Sequence, residues 1–257
     1  MTTVTFLGTA TSVGVPVIGC SCPVCTSTDP RNTRTRSSLH VQSEDRSILI
    51  DTGPDLREQA LREKLTEVHD VLYTHCHIDH VAGFDELRAF GWHLETPLPI
   101  YAGQETIAAL QRMYPYAFAK DTPRNYIRVE PRLISGSFSL DPVKITPLPV
   151  EHGSAETFGF HFDFPSGKSM AYISDLKRIP STTRALMDGL DVLALDSLRF
   201  KDHPNHMTLD EALATIAEIQ PAQGYLTHIT HDLEHAEISA NLPANVQLAY
   251  DGLKIRF

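Results

Sequence analysis

The sequence predicts an α/β protein whose strands end in metal-binding side chains. Three observations carry this. Short apolar or β-branched runs recur along the chain between stretches of helical spacing. Several of those runs stop at a His or an Asp. The segment His75-Cys76-His77-Ile78-Asp79-His80 then places four ionisable ligand side chains within six positions, directly after the strand-like Val71-Leu72-Tyr73-Thr74.

The chain has 257 residues, which suits one large α/β unit, and the expectation is a single domain over 1–257. No linker, low-complexity tract or repeat period interrupts it. Its net charge of -10, from 22 Lys and Arg against 32 Asp and Glu, argues against a broad nucleic-acid-binding surface. No apolar run is long enough to span a bilayer, and Met1-Thr2-Thr3-Val4-Thr5-Phe6 lacks the regions of a signal peptide. A cytoplasmic protein without a membrane partner is expected. Its four cysteines then read as metal ligands or buried thiols rather than disulfides.

Taken in order, Val4-Thr5-Phe6-Leu7 is the first strand, ended by Gly8. The loop at 8–14 is rich in Gly, Ser and Thr but lacks the Lys of a phosphate loop. Cys20, Cys22 and Cys25 crowd three thiols into one turn. Three thiolates leave one tetrahedral position on a divalent ion, for which His231 and Cys76 are both candidates. Arg31, Arg34 and Arg36 lie on a polar loop and could hold a phosphate by bidentate contacts or be solvated. Residues 38–41 and 47–51 read as a hairpin, and a helix follows Pro54 on Leu56, Ala60, Leu61 and Leu65.

At the ligand cluster, alternate residues of extended backbone point the same way. His75 and His77 therefore share a side, and Cys76 and Ile78 take the other. Asp79 and His80 lie on the turn beyond and reach a second point, so two adjacent ions use the four ligands better than one. A short helix is expected at 84–88, a strand at 98–101 and a helix at 105–116, with Trp92 and Tyr114 to Phe118 mostly in the core. Strands follow at 126–129, 143–150, 157–162, 169–175 and 190–196. His152 follows one of them, and Asp175 ends another. Thr208 caps a helix over 209–219, after a loop carrying His203 and His206. A strand leads to His228, then a helix spans 233–240 and two strands close the chain. His40, His69, His93, His161 and His235 belong to no motif.

The His-x-His-x-Asp-His run after a strand resembles that of the metallo-β-lactamase-fold hydrolases, and the later His and Asp positions extend the resemblance along the chain. It implies a four-layer αββα sandwich with a two-metal site at one edge. It assigns His75, His77 and His152 to one ion, Asp79, His80 and His228 to the other, and Asp175 to a bridge between them. Asp51 becomes a group that orients the ligands rather than one that binds metal. The cysteine loop is similar to the extra zinc site of the PhnP-like phosphodiesterases, where the second histidine of a Thr-His-x-x-His run completes the set. That histidine is His231 here, giving a structural zinc on Cys20, Cys22, Cys25 and His231. PqqB proteins carry a similar loop. Asn205-His206 matches the pair that supplies the general acid in PhnP-like enzymes.

Imidazole and carboxylate ligands suit Zn or Mn, and also Fe. Two divalent ions bring four positive charges. Asp79 and Asp175 offset two, and a bridging hydroxide offsets a third. The remaining charge attracts an anionic phosphodiester and its transition state. The expectation is a metal-dependent phosphodiesterase acting on small, cyclic substrates. The bridging hydroxide is the nucleophile, and Asp79 and His206 are the catalytic residues. The alternatives are a tRNA-processing-type nuclease, a thioester or lactone hydrolase, and a PqqB-like accessory protein. No long basic insertion for tRNA is present. The PhnP resemblance further implies a homodimer.

Overall fold

The computed structural model describes residues 1–92, 94–123 and 125–257. His93, read as a histidine without a motif, lies outside the described residues. The first half runs β1 (Thr2–Gly8), β2 (Ser38–Ser43), β3 (Arg46–Ile50), α1 (Leu56–Glu63), β4 (Asp70–Leu72), α2 (Ile78–Val81), α3 (Leu87–Gly91), β5 (Leu98–Ala102), α4 (Gln104–Met113) and β6 (Val129–Leu133). The second runs β7 (Phe138–Leu140), β8 (Val143–His152), β9 (Ala155–Asp163), β10 (Ser169–Ile173), α5 (Ser181–Arg184), β11 (Val192–Asp196), α6 (Leu209–Ile219), β12 (Gln223–Thr227), α7 (His235–Ser239), β13 (Val246–Leu248) and β14 (Lys254–Arg256).

These strands form two mixed seven-stranded sheets, ordered β14-β1-β2-β3-β4-β5-β6 and β13-β12-β11-β10-β9-β8-β7. The outer part of each is parallel, β3 to β6 in one and β10 to β13 in the other. The hairpins keep the rest antiparallel.

The side-chain period of two explains the layers. In β3, Ile48 and Ile50 face the opposite sheet, while Leu49 faces the helices. In β11, Val192 and Ala194 point inward, while Leu193 and Leu195 point toward α6 and α7. One apolar cluster therefore fills the space between the sheets, joining Phe6 and Val41 to Phe160, Phe162 and Tyr172. Two more lie outside, one beneath Leu56, Ile107 and Leu110 and the other beneath Leu209, Ala212 and Ile216. The result is an αββα sandwich, and strands buried on both faces read as continuous apolar runs for that reason.

Several boundaries differ from those expected. The strand expected at 126–129 lies at Val129–Leu133, because the parallel pairing with β5 begins at Val129. The helix expected to reach 116 ends at Met113, and Pro115 starts a separate 3-10 turn. Strand β7, too short to show a period, was not expected. Trp92 is 60% exposed rather than in the core. Thr208 does cap α6, in a reciprocal capping box with Glu211.

Candidate metal centre

The C-terminal ends of β4, β8, β10, β11 and β12 meet at one edge of the sandwich, and each delivers a polar side chain there. After β4 the chain turns through His77 into the one-turn helix α2. Two glycines allow that turn to lie against the end of β3. A Cβ on Gly53 would sit 2.4 Å from the Asp79 carbonyl oxygen, and one on Gly83 would sit 2.0 Å from that of Gly53. Backbone hydrogen bonds from Thr52 to His80 and from Gly83 to Thr52, both 2.8 Å, lock the contact. From behind, the Tyr114 hydroxyl donates to the carbonyls of Val81 and Ala82 and its ring stacks on Phe84.

His75 Nε2 lies 2.9 Å from His77 Nδ1, and His152 Nε2 lies 3.3 Å from the same atom. His80 Nε2 is 3.4 Å from Asp79 and 3.3 Å from Asp175. His228 Nε2 is 3.1 Å from the other Asp175 oxygen and 3.8 Å from Asp79. Asp175 thus turns one oxygen toward each of His80 and His228, and it also groups with His75 and with His152. The seven side chains expected to surround two ions are brought together. His75, His80, His152, Asp175 and His228 are buried, whereas His77 faces the open side.

The donor set fits divalent ions. His80 Nε2, His228 Nε2 and Asp175 Oδ2 are buried without a hydrogen-bond partner among the described residues. Such atoms are costly unless something pairs with them. The electrostatics agree. Burial opposes charge on His80, yet Asp175, Asp51 and Asp79 hold its pKa well above the ordinary value. Burial likewise opposes His228, but Asp175 and Asp79 raise it to about 8. Asp175 and Asp79 are held well below the carboxylate range, burial being outweighed by His228 and His80 for the first and by His80 for the second. These carboxylates thus favour positive charge where divalent ions would sit, and bound ions would replace the protons. On the other side, burial lowers His75, His77 and His152, leaving neutral ligand nitrogens.

A second layer orients these rings. Asp51 accepts from His80 Nδ1 at 2.7 Å and from the Thr74 backbone and hydroxyl at 2.8 Å each. His152 Nδ1 donates to the Asn205 carbonyl at 2.9 Å. Asp51 (φ 64) and His228 (φ 57) both hold left-handed backbone, a strained conformation for these residues. The residue that sequence reading missed is Asp196. It ends β11 fully buried, 2.7 Å from His206 Nδ1 and 3.8 Å from His228 Nδ1. The available signal was an acidic residue closing the apolar Val192-Leu193-Ala194-Leu195, at the same sheet end as Asp175. His206 itself lies with ring centroids 4.6 Å from His152 and 4.7 Å from His228. Burial and His228 pull its pKa down to about 4. Burial likewise holds the Asp196 carboxyl well above the carboxylate range, against the pull of His228.

The three thiols form a separate centre. Sγ of Cys20, Cys22 and Cys25 lie 3.3, 3.5 and 3.3 Å from His231 Nδ1. A tetrahedral zinc, with bonds of ~2.3 Å to sulfur and ~2.0 Å to nitrogen, would separate S and N by about 3.5 Å. Backbone amides of Val17 and Cys25 donate to Cys25 and Cys22 sulfur. The Cys25 amide is the main cause lowering the Cys22 thiol to about 6, while burial pushes Cys25 up to about 11. Cys76, the alternative fourth ligand, is not in the group.

In the basic loop, the expectation of a solvated side chain fails for Arg34. Arg34 is buried and donates to Thr9, the Ala249 carbonyl and His235 Nδ1. Arg31 grips Asp29, and Arg36 pairs with Asp55 at 3.0 Å. These guanidinium groups organise the loop through partners within the chain. The histidines without a motif bond locally: His40 to Ser47, His69 to the Ser47 amide, His161 to the Leu186 carbonyl and His235 to Arg34.

Two facing mixed sheets with a His- and Asp-lined centre at their edge define a metal-dependent hydrolase of the metallo-β-lactamase fold. The chain belongs to the β-lactamase superfamily, whose domain matches residues 46–229, and to its PhnP-like branch. A solved structure described as a new diphosphatase from the PhnP family superposes with a TM-score of 0.92 at 40% identity, covering 100% of this chain and 98% of that one. A Porphyromonas gingivalis protein named octanoyltransferase is 35% identical over 96% of this chain. This chain spans only 50% of that relative's length. Coenzyme PQQ synthesis protein B of Methylorubrum populi is 31% identical over 77% of this chain and 74% of its own.

Proposed function

We propose that the protein hydrolyses small phosphodiesters, cyclic ones included. His75, His77 and His152 would hold one divalent ion, Asp79, His80 and His228 a second, with Asp175 shared. Zn or Mn suits this set, and Fe is compatible. When bound, such ions supply an activated water and positive charge for the phosphate oxygens.

The chain's own residues account for the rest. Asp51 and the Asn205 carbonyl fix the rings of His80 and His152, so their nitrogens need not reorganise during reaction. His206 is the proposed general acid for the departing alkoxide. The observation that carries this role is its 2.7 Å contact with buried Asp196. That contact turns Nδ1 inward and fixes the orientation of the ring. Nε2 is left to meet the leaving group. Cys20, Cys22, Cys25 and His231 are read as a structural zinc site.

The test is a panel of bis-aryl phosphodiesters, cyclic phosphates, lactones and thioesters offered to metal-replete protein, with bound metal measured on the same sample. Cleavage of the phosphodiesters and not of the others supports the reading. The opposite selectivity returns the protein to the thioester or lactone hydrolases. No turnover of any of them, with metal bound, favours an accessory role of the PqqB kind. Salt-dependent tRNA binding would favour a nuclease.

A further inference from the structure

A histidine that binds a metal through one ring nitrogen is held in place by donating from the other, to a carboxylate, a carbonyl or a water. Three buried histidines of the centre have such a partner within the chain. His75 Nδ1 lies 3.0 Å from the Thr74 hydroxyl, His80 Nδ1 2.7 Å from Asp51, and His152 Nδ1 2.9 Å from the Asn205 carbonyl. His228 does not. Its Nδ1 is buried without a hydrogen-bond partner among the described residues, and the facing carboxylate oxygen, Asp196 Oδ1, is 3.8 Å away. That separation is too long for a hydrogen bond. Asp196 Oδ1 has no partner there either, although Oδ2 accepts from the Leu176 amide at 3.1 Å and contacts His206 Nδ1 at 2.7 Å. Strand register brings two more unpartnered groups beside this gap. Asp196 pairs with Thr227 across β11 and β12, and Ser174 follows Ile173, which pairs with Leu195. Ser174, Asp196 and Thr227 therefore form one row across neighbouring parallel segments ~4.8 Å apart. They continue the face that carries Tyr172, Ala194 and Tyr225 between the sheets. Ser174 and Thr227 are at most 1% exposed, and their hydroxyls have no hydrogen-bond partner among the described residues. Ala194 stands directly below Asp196 in the next row, so only a methyl group lies there.

Buried polar atoms left unpaired are costly, and an internal water with about two to four polar partners is the common remedy. We infer that an ordered water is held between His228 Nδ1, Asp196 Oδ1 and the hydroxyls of Thr227 and Ser174, and that Thr227 and Ser174 are thereby positioning residues for His228. The water accepts from His228 Nδ1 and donates to Asp196 Oδ1. The two hydroxyls, which can both donate and accept, complete its shell. Asp196 then serves two rings, His206 directly through Oδ2 and His228 through Oδ1 and the water. The role rests on the assignment of His228 Nε2 to one of the two ions. Thr227 and Ser174 touch neither ion nor substrate in this arrangement, so their loss acts on metal affinity through the His228 ring.

Two measurements test this. The first is a crystal structure of zinc-loaded protein at a resolution that shows ordered water. A water within hydrogen-bond reach of both His228 Nδ1 and Asp196 Oδ1 supports the inference. A direct contact of about 3.2 Å or less between those two atoms, with no water, overturns it. The second is zinc affinity, read by chelator competition and independent of turnover. Thr227→Val removes the hydroxyl with little change of shape and should weaken binding of one of the two ions by about tenfold or more, as for other groups that orient ligands. Thr227→Ser should recover most of that loss, because it restores the hydroxyl and not the methyl group. Ser174→Ala carries the same test where Thr227→Val does not fold. Wild-type zinc affinity in the hydroxyl-free variant, or no recovery in Thr227→Ser, overturns the positioning role. Should wild-type protein hold no ion at the His and Asp cluster, the two-ion reading fails instead, and the density between His228 and Asp196 alone decides on the water.

Discussion

Asp196 Oδ2 lies 2.7 Å from His206 Nδ1, at the buried end of a strand whose other residues are all apolar. A carboxylate in that position is costly unless it is paired. Here it orients one imidazole beside the metal centre and lies near a second, His228.

The first prediction follows from that pair. His206→Ala should lower kcat/KM on phosphodiesters with alkyl leaving groups by about 10²–10⁴-fold, the usual range for general acid catalysis. Nitrophenyl diesters, which leave without protonation, should lose far less. Asp196→Asn should show the same selectivity with smaller losses. Equal losses on both substrate types would remove the acid role from His206.

A second prediction concerns Asp51. It bonds His80 Nδ1 and the Thr74 backbone but touches no expected ion. Asp51→Asn should weaken metal binding by about 10–100-fold, as for other groups that orient ligands. Competition with a chelator of known affinity measures it. Unchanged affinity would mean that the His80 ring is held by packing alone.

The thiol centre gives a third. Cys22→Ser should remove the zinc proposed for Cys20, Cys22, Cys25 and His231 and lower Tm, while the ions proposed at the His and Asp cluster stay bound. Metal analysis beside a thermal melt reads both. Loss of the cluster ions instead would contradict the division of ligands.

A fourth is a pH dependence of stability. His40 is buried against Ser47, and burial lowers its pKa to about 4 from an ordinary 6.5. The unfolded chain then binds more protons between those values. Stability attributable to His40 is complete above pH ~6.5 and falls as pH drops toward 4, by up to about 3 kcal/mol. His40→Gln should flatten that part of the denaturation profile. An unchanged slope would show that other groups set it.

Much of the fold was legible because burial on both faces leaves a direct mark. Runs such as Ile48-Leu49-Ile50 and Leu193-Ala194-Leu195 are apolar throughout since each residue has a layer to face. Trp92 and the strand at Val129–Leu133 were misplaced because local hydrophobicity does not report which neighbour covers a residue. Arg34 misled for the opposite reason. Its charge suggested a free loop, but carbonyl, hydroxyl and imidazole partners far along the chain allow it to be buried.

The amino-acid sequence alone determined the chemistry on offer: which donors stand at strand ends, and that three thiols share a turn. Those are properties of residue type and near-neighbour spacing. Tertiary structure alone decided that β4, β8, β10, β11 and β12 end at one edge and that Asp196 reaches His206. Such relationships depend on strand order and sheet packing, which bring together groups that the chain keeps tens of residues apart.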